Sequence, residues 1–285
     1  MDSRIFFSGI SDEASPHLAG QIAAHRDLGW RHIELRNIGG INLTDLPDDE
    51  FLTAADALDL AGLQVSCFAS QIANWSRAID GDFEKDLLEL RRAIPRMHRL
   101  RTPLIRCMSW PNSTDALPDT GWRQEVVRRM KILAQMAEGG SVMLVHENCS
   151  GWAGQGPRQT LELLSEVSSN ALKLVFDTGN PFQYGQDAWE YYREVREHVV
   201  YLHVKDYARG PDGSEKAVFP GEGSGHVRKI VSDILDRGHG CGFSIEPHIT
   251  SVIHLGKEAD DPDLSYRTYI EYGRRFEQLM ERIGK

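Results

Sequence analysis

The chain has 285 residues and a formal net charge of −10 at neutral pH. This length is sufficient for one large domain with a sizeable core, and the negative charge disfavours binding to the phosphate backbone of nucleic acids. No run approaches the roughly 20 apolar residues that a membrane span needs, and the N-terminus lacks a basic segment followed by an apolar one, so neither a membrane partner nor a signal peptide is expected. The four cysteines are widely separated, which favours reduced thiols in a cytoplasmic protein over disulfides.

Eight short apolar segments alternate with eight amphipathic helical segments along the chain. The predicted strands are residues 5–10, 32–36, 64–68, 104–108, 142–147, 172–177, 199–205 and 242–246. The predicted helices are residues 15–28, 47–60, 83–98, 122–138, 157–167, 188–198, 227–237 and 266–283. Pro95 is expected to end or kink the third helix. Strand followed by helix, eight times over, predicts a single (β/α)₈ TIM barrel, with residues 1–285 forming one domain.

An open doubly wound sheet is the alternative to the barrel. Such a sheet usually carries a GxGxxG phosphate-binding turn after its first strand. Here the first strand leads into Gly9-Ile10-Ser11-Asp12-Glu13, which does not match that motif. The barrel is therefore favoured, and the glycine-rich segment at 210–225 is interpreted as a loop over its mouth.

The last four predicted strands each end in carboxylate or imidazole groups. The segments are His146-Glu147-Asn148, Asp177-Thr178-Gly179-Asn180, His203-Val204-Lys205-Asp206 and Glu246-Pro247-His248. Because barrel active sites form at the C-terminal ends of the strands, we expect Glu147, Asp177, His203 and Glu246 to converge. Three carboxylates held together without a cation would repel one another. Oxygen ligands with one imidazole suit a single divalent metal, Mn²⁺ in the first place, with Mg²⁺, Co²⁺ or Zn²⁺ as alternatives.

These strand ends resemble the xylose isomerase-like TIM barrel superfamily, specifically its sugar phosphate isomerase/epimerase family. The resemblance covers nearly the whole chain and includes Pro220-Gly221-Glu222-Gly223 and Ile245-Glu246-Pro247. It implies that the four converging residues are metal ligands. It further implies that Glu147 and Glu246 act as the catalytic proton acceptor and donor, and that Arg209 contacts substrate hydroxyls.

Two positions depart from the pattern of the family's ketose epimerases. Asn180, a candidate substrate contact, stands where several members carry a histidine behind the ligands. Ala153 stands where the ketose epimerases carry a further glutamate. These departures put the specific ketose-epimerase interpretation in doubt, but leave the metal site intact.

Three further residues are candidates for substrate binding. Lys205 shares the strand parity of His203, so it contacts substrate or neutralises the ligand charge, with a buried ion pair as the alternative. Glu34 either lines the pocket or pairs with Arg36. Trp152 either roofs the pocket or packs within a loop. His146, by strand alternation, is expected to face away from the site.

The predicted function is a metal-dependent isomerase or epimerase that acts on a small ketose, polyol or keto-sugar through a metal-stabilised enediolate. The main alternative is a lyase or dehydratase of an inosose-like or 3-keto-glycoside substrate on the same site. A DNA-repair endonuclease of the superfamily is disfavoured by the net charge and by the scarcity of histidines at the first four strand ends. A non-catalytic sugar-binding protein would not need four ligands. A homo-oligomer is also expected.

Overall fold

The computed structural model describes residues 5–113, 115–211, 213–238, 240–250 and 262–284. Its strands are β1 (Phe6–Gly9), β2 (His32–Leu35), β3 (Asn37–Ile38), β4 (Ile41–Asn42), β5 (Gln64–Phe68), β6 (Leu104–Ser109), β7 (Met143–Gly151), β8 (Leu172–Asp177), β9 (Val199–Val204), β10 (Asp206–Arg209), β11 (Glu215–Val218) and β12 (Gly242–Ile245). Its α-helices are α1 (Leu18–Leu28), α2 (Asp48–Ala61), α3 (Glu84–Leu100), α4 (Asp119–Gly139), α5 (Pro157–Val167), α6 (Asn180–Gln183), α7 (Ala188–Val195), α8 (Val227–Arg237) and α9 (Pro262–Ile283). Within the described ranges, none of the helices has both the length and the apolar character required to cross a membrane.

Eight of the strands form one parallel sheet in the order β1-β12-β9-β8-β7-β6-β5-β2. A further parallel bridge joins Ile10, just after β1, to Glu34 in β2, so the two edges of the sheet meet. The structure therefore confirms the predicted (β/α)₈ barrel. Since the strands are parallel, all their C-terminal ends lie at the same rim.

The interior of the barrel is a packed layer. Cys67, Val145, Val175 and Tyr201 form a buried cluster contributed by four different strands. The other faces of the strands pack against the surrounding helices in two larger apolar clusters, which explains why the strand sequences are apolar on both faces. Because side chains fill the interior below the rim, the space for a ligand lies at the rim itself.

The expectation that Pro95 ends or kinks the third helix is wrong as regards the end of the helix. Helix α3 continues through Pro95 to Leu100. A proline inside a helix loses one backbone hydrogen bond, but Leu90, Ala93 and Met97 bury the inner face of α3 completely. Packing of this apolar face, together with Leu100, outweighs the local cost.

The segment after β9 is more ordered than the predicted loop. Strands β10 and β11 form an antiparallel hairpin, and the glycine-rich turn that follows is bound to Asp206. The Asp206 carboxylate accepts hydrogen bonds from the backbone amides of Gly221, Gly223 and Gly225 at 2.8–2.9 Å. The glycines of this turn therefore anchor the rim above β9.

Candidate metal centre and active-site cavity

Four predicted residues meet at the C-terminal rim of the barrel. Glu147 lies in β7, Asp177 ends β8, His203 lies in β9 and Glu246 follows β12. Each offers one nitrogen or oxygen atom, and these four atoms all lie within 4.8 Å of one another. All four side chains are buried. The strand ends thus create the compact set of donors that the sequence predicts.

The donor atoms at this point fit a cation. Within the described part of the chain, Nδ1 of His203 has no hydrogen-bond partner, although it is fully buried and lies 3.8 Å from Oε1 of Glu147 and 4.0 Å from Oε2 of Glu246. Oε2 of Glu147 and Oδ2 of Asp177 also lack a hydrogen bond from described residues, although they lie 3.3 Å from Arg106 and 2.9 Å from Lys205, respectively. Unpaired buried polar atoms are costly. A divalent ion among these carboxylate oxygens and the imidazole nitrogen would satisfy them.

His203 is oriented by a carboxylate on its other side. Its Nε2 lies 3.1 Å from Oε1 of Glu34, and both side chains are fully buried. This hydrogen bond directs Nδ1 toward the other three ligands, as in the carboxylate–histidine–metal arrangement of many metal sites. Glu34, a candidate substrate contact, instead lies behind His203 and does not line the cavity.

Asp177 and Glu147 are held by donors around α6. Oδ1 of Asp177 accepts hydrogen bonds from the amides of Gly179 and Asn180, both at 2.7 Å. This leaves Oδ2 directed at the centre. The side-chain amide of Asn180 donates to Oε1 of Glu147 at 2.9 Å. Asp177 therefore caps the start of α6 with one oxygen and serves the site with the other, while Asn180 positions Glu147.

Cationic side chains balance the carboxylates. The Nζ atom of Lys205 lies 2.9 Å from Oδ2 of Asp177 and 2.9 Å from Oε2 of Glu246. Guanidinium nitrogens of Arg106 and Arg36 lie 3.3 Å from Glu147 and Glu246, respectively. The pairing of Lys205 that was weighed as an alternative is thus present, and it involves two of the four candidate ligands.

The pKa values of the site follow from burial and these charges. Burial opposes ionisation of Glu147, but Arg106 and His203 outweigh it and lower its pKa to about 2. Burial also opposes ionisation of Glu246, yet Lys205 and His248 lower its pKa well below the usual range. Burial is the main cause that raises the pKa of Asp177 to about 6. Both glutamates are therefore ionised at neutral pH.

The pKa of His203 shifts upward, whereas burial alone lowers the pKa of a histidine. Burial lowers its pKa, but the negative charges of Glu34 and Glu147 dominate and raise it to about 10. In the metal-free protein, this histidine accordingly carries a proton at neutral pH. Cation binding at Nδ1 must displace that proton.

A cavity of about 250 Å³ opens directly on this centre. Its lining residues are Arg36, Trp75, Arg106, Met108, Glu147, Cys149, Ser150, Asn180, Gln183, Tyr184, Lys205 and Glu246. Glu147 and Glu246 thus face the cavity, whereas Asp177 and His203 lie outside its lining. The arrangement places two ionised carboxylates, an ammonium group and an apolar aromatic wall around one small-molecule site.

The model of the xylose isomerase-like TIM barrel family matches residues 22–275. The chain belongs to this family. A curated relative, a 2-epi-5-epi-valiolone 7-phosphate 2-epimerase from Actinoplanes sp., is 29% identical over 136 residues. That match spans 47% of this chain and 46% of the relative, so the chain aligns with less than half of the relative's length.

Solved structures of the xylose isomerase-like fold match over almost the whole chain. One from Mycobacterium smegmatis, in complex with magnesium, is 17% identical, with a TM-score of 0.70 and coverage of 98% of this chain and 100% of that one. A 3-keto-D-glucoside 4-epimerase from E. coli is 14% identical, with a TM-score of 0.68 and coverage of 95% and 99%. A probable 3-DHS dehydratase from Bacillus anthracis is 17% identical, with a TM-score of 0.68 and coverage of 93% and 97%. At these identities the matches show the fold alone.

Two predicted substrate contacts lie outside the cavity lining. Trp152 is only 6% exposed and belongs to the apolar core. It follows a β7 that runs on to Gly151, and a 3₁₀ turn at Ala153–Gln155 then carries the chain into the helical layer. The Arg209 side chain is 57% exposed and pairs with Glu215 across the β10–β11 hairpin. The hairpin directs it to the surface, so neither residue contacts the cavity here.

Several cavity residues were not predicted from the sequence. Arg106, Trp75 and Tyr184 all line the cavity. A signal was available for Arg106, because an arginine with the strand parity of Met108 interrupts the apolar run Leu104–Ser109. Trp75 and Tyr184 follow strands in irregular segments and short turns, where periodicity gives no orientation.

Proposed function

We propose that this member of the xylose isomerase-like family is a divalent-metal-dependent isomerase or epimerase of a small keto-sugar or related polyol. The observation that carries the proposal is that only two of the four candidate metal ligands line the cavity. Glu147 and Glu246 line the cavity, while Asp177 and His203 are buried outside its lining. Two ionised carboxylates can therefore face a substrate carbon and still contribute oxygens to a cation.

In this proposal, Glu147 and Glu246 exchange protons with the substrate carbon. A bound divalent cation would supply Lewis-acid stabilisation of negative charge on the substrate oxygens. Glu147, with its lowered pKa, is ionised and can accept a proton. Asn180 and Arg106 fix the orientation of its carboxylate at 2.9 and 3.3 Å. A positioned carboxylate base typically contributes roughly 10²–10⁴-fold to the rate.

Lys205 places a positive charge at the cavity, beside the candidate ligands. Its Nζ donates a hydrogen bond to Oε2 of Glu246 at 2.9 Å, and the surrounding carboxylates raise its pKa well above the usual value despite burial. Lys205 thus carries a proton at the cavity wall, next to Glu246.

The same lysine favours a lyase as the second candidate function. An ammonium group on the cavity wall can protonate a departing hydroxyl, which is the step that dehydration requires. Ala153, at the position of the further family glutamate, is fully buried in the core and cannot contact substrate. Dehydration of a keto-polyol therefore remains the alternative to epimerisation.

One labelling experiment tests both candidates. The Mn²⁺-loaded protein and an EDTA-treated sample are incubated in D₂O with ketoses and with keto-inositols. Metal-dependent incorporation of deuterium at the carbon next to the carbonyl, without loss of water, supports the isomerase or epimerase. Release of a dehydrated enone or diketone supports the lyase. If neither reaction occurs on any of these substrates, the proposed function is contradicted.

We also propose the finer features of this enzyme. Mn²⁺ is the proposed metal, a small sugar-like molecule is the proposed partner, and residues 1–285 are proposed to act as one domain. A cytoplasmic location is proposed because the four cysteines are free. The homo-oligomer expected from the family resemblance stays a prediction.

A further inference from the structure

A second cavity lies next to the cavity at the metal centre. It also measures about 250 Å³, and its lining residues are Arg36, Asn37, Gly40, Asn42, Gln71, Asn74, Trp75, Ser76 and Arg106. Arg36, Trp75 and Arg106 line both cavities. We refer to the two cavities as the metal compartment and the amide compartment. Their shared wall places the two cavities side by side at the rim of the barrel.

The amide compartment offers polar groups that the protein does not use. Within the described residues, no hydrogen bond joins the side-chain amide of Gln71 to the rest of the chain, although its backbone N–H donates to Glu89 and its backbone carbonyl accepts from Asn74. Asn74 accepts hydrogen bonds from Ser76 through Oδ1, which leaves its Nδ2 group for another acceptor. Trp75 is 37% exposed and presents an aromatic surface between the compartments.

The charges around the shared wall oppose a dianionic group such as a phosphate ester. Arg36 is already bound to Asp12, Glu13 and Glu246 at 3.0–3.4 Å. Arg106 is 3.3 Å from Glu147. Each guanidinium group is therefore already matched by neighbouring carboxylates, so neither offers an unmatched positive charge to a phosphate. Uncharged hydroxyl groups do not need an unmatched positive charge, and they can form hydrogen bonds with side-chain amides.

We propose that the amide compartment binds a second hydroxylated ring, so that the substrate is a glycoside-sized keto-sugar rather than a monosaccharide. The inference rests on the proposed function, since the reacting part of the substrate would lie in the metal compartment. Each cavity alone is smaller than the roughly 300–1,000 Å³ typical of ligand pockets, whereas the two together fall within that range. Amide groups beside an aromatic face match the alternating polar and apolar surfaces of a sugar ring.

Calorimetric titration of the Mn²⁺-loaded protein tests this proposal without requiring turnover. The ligands are D-fructose, isomaltulose (fructose that carries a second hexose ring) and fructose 6-phosphate. We expect isomaltulose to bind about tenfold more tightly than fructose, which corresponds to one or two additional hydrogen bonds and ring contacts. Fructose 6-phosphate is expected to bind no more tightly than fructose.

Three variants test whether the amide compartment causes the preference for isomaltulose over fructose. Q71L should reduce the preference for isomaltulose over fructose by about threefold to tenfold, since it removes the free amide. Trp75→Leu provides a second variant at the shared wall and should reduce the same ratio. Q124L, at an exposed position on α4, is the control and should leave the ratio unchanged.

Several results would overturn the second-ring proposal. Equal or weaker binding of isomaltulose, absence of its binding, or tightest binding of fructose 6-phosphate would each contradict it. An isomaltulose preference that survives both Q71L and Trp75→Leu would do the same. Failure of the proposed function has a separate signature, in which isomaltulose binds preferentially but no metal-dependent deuterium exchange or dehydration occurs.

Discussion

The contact between Glu34 and His203 makes the metal affinity depend on pH in a specific way. The variant E34Q keeps the size of the side chain and an oxygen that can accept the hydrogen bond from Nε2, now 3.1 Å from Oε1. It removes a fully buried negative charge. That charge is a main reason why the pKa of His203 is raised to about 10 in spite of burial. The pKa of His203 should therefore fall in E34Q.

The magnitude follows from proton displacement. Cation binding requires His203 Nδ1 without its proton. Between the pKa of Asp177, about 6, and that of His203, about 10, one proton leaves for each ion bound. The apparent Kd for Mn²⁺ should thus weaken about tenfold for each pH unit of acidification, or roughly 1.4 kcal/mol per unit. Below pH 6, protonation of Asp177 adds a second proton and steepens the dependence.

In E34Q this slope should flatten over the neutral range, because His203 is already largely unprotonated. At alkaline pH, where proton competition is weakest, the direct loss of the supporting carboxylate should dominate. Partners of this kind contribute about 10–100-fold to metal affinity. The wild-type and variant curves of Kd against pH should therefore converge on acidification rather than run in parallel.

Calorimetric titrations with Mn²⁺ at pH 6.5, 7.5 and 8.5 measure how the apparent Kd depends on pH in the wild type and in E34Q. E222Q is the matched control, because Glu222 is half-exposed and pairs with Arg275 away from the centre. The control should reproduce the wild-type curve. Parallel curves for wild type and E34Q would refute the role assigned to Glu34.

Four further changes have distinct expected outcomes. E147Q should lower kcat about 10²–10⁴-fold in steady-state assays of the wild-type reaction, and an unaffected kcat would remove Glu147 from the chemistry. Lys205→Met should tighten Mn²⁺ binding at least about tenfold while activity falls, since an ammonium group 2.9 Å from two ligands no longer competes with the ion; weaker binding would contradict this. Arg209→Ala should change KM less than about fivefold, because its ion pair is exposed, and a larger rise would return Arg209 to the substrate site. Asp206→Ala should lower the free energy of unfolding by about 2–3 kcal/mol in urea denaturation, because three glycine amides lose their acceptor; an unchanged midpoint would argue against that anchor.

The four central side chains could be predicted because two simple regularities determine their position. Parallel strands of a closed barrel end at one rim, and side chains alternate between the two faces of each strand. Glu147, Asp177, His203 and Glu246 satisfy both conditions, and the structure brings them together. Lys205 was placed correctly by the same parity argument.

Alternation gives the face of a strand but not the depth along the barrel axis. Glu34 was expected either to line the pocket or to pair with Arg36, yet it lies behind His203, where its backbone also bridges Ile10. Trp152 could not be placed because the sequence does not reveal that β7 continues to Gly151. The orientation of Arg209 depended on a hairpin that was predicted as a loop. The amide compartment combines residues from two separate rim segments, and no local pattern in either predicts it.

The most direct test of the metal centre is a crystal of the protein soaked in Mn²⁺ and measured at the manganese absorption edge. The account predicts one anomalous peak at roughly 2.0–2.3 Å from one atom each of Glu147, Asp177, Glu246 and Nδ1 of His203. It also predicts that the Nζ atom of Lys205 lies farther from Asp177 and Glu246 in the Mn²⁺ complex than the 2.9 Å at which it contacts their oxygens here. Absence of a peak among these four side chains at saturating Mn²⁺, with Lys205 still in place, would contradict the central claim.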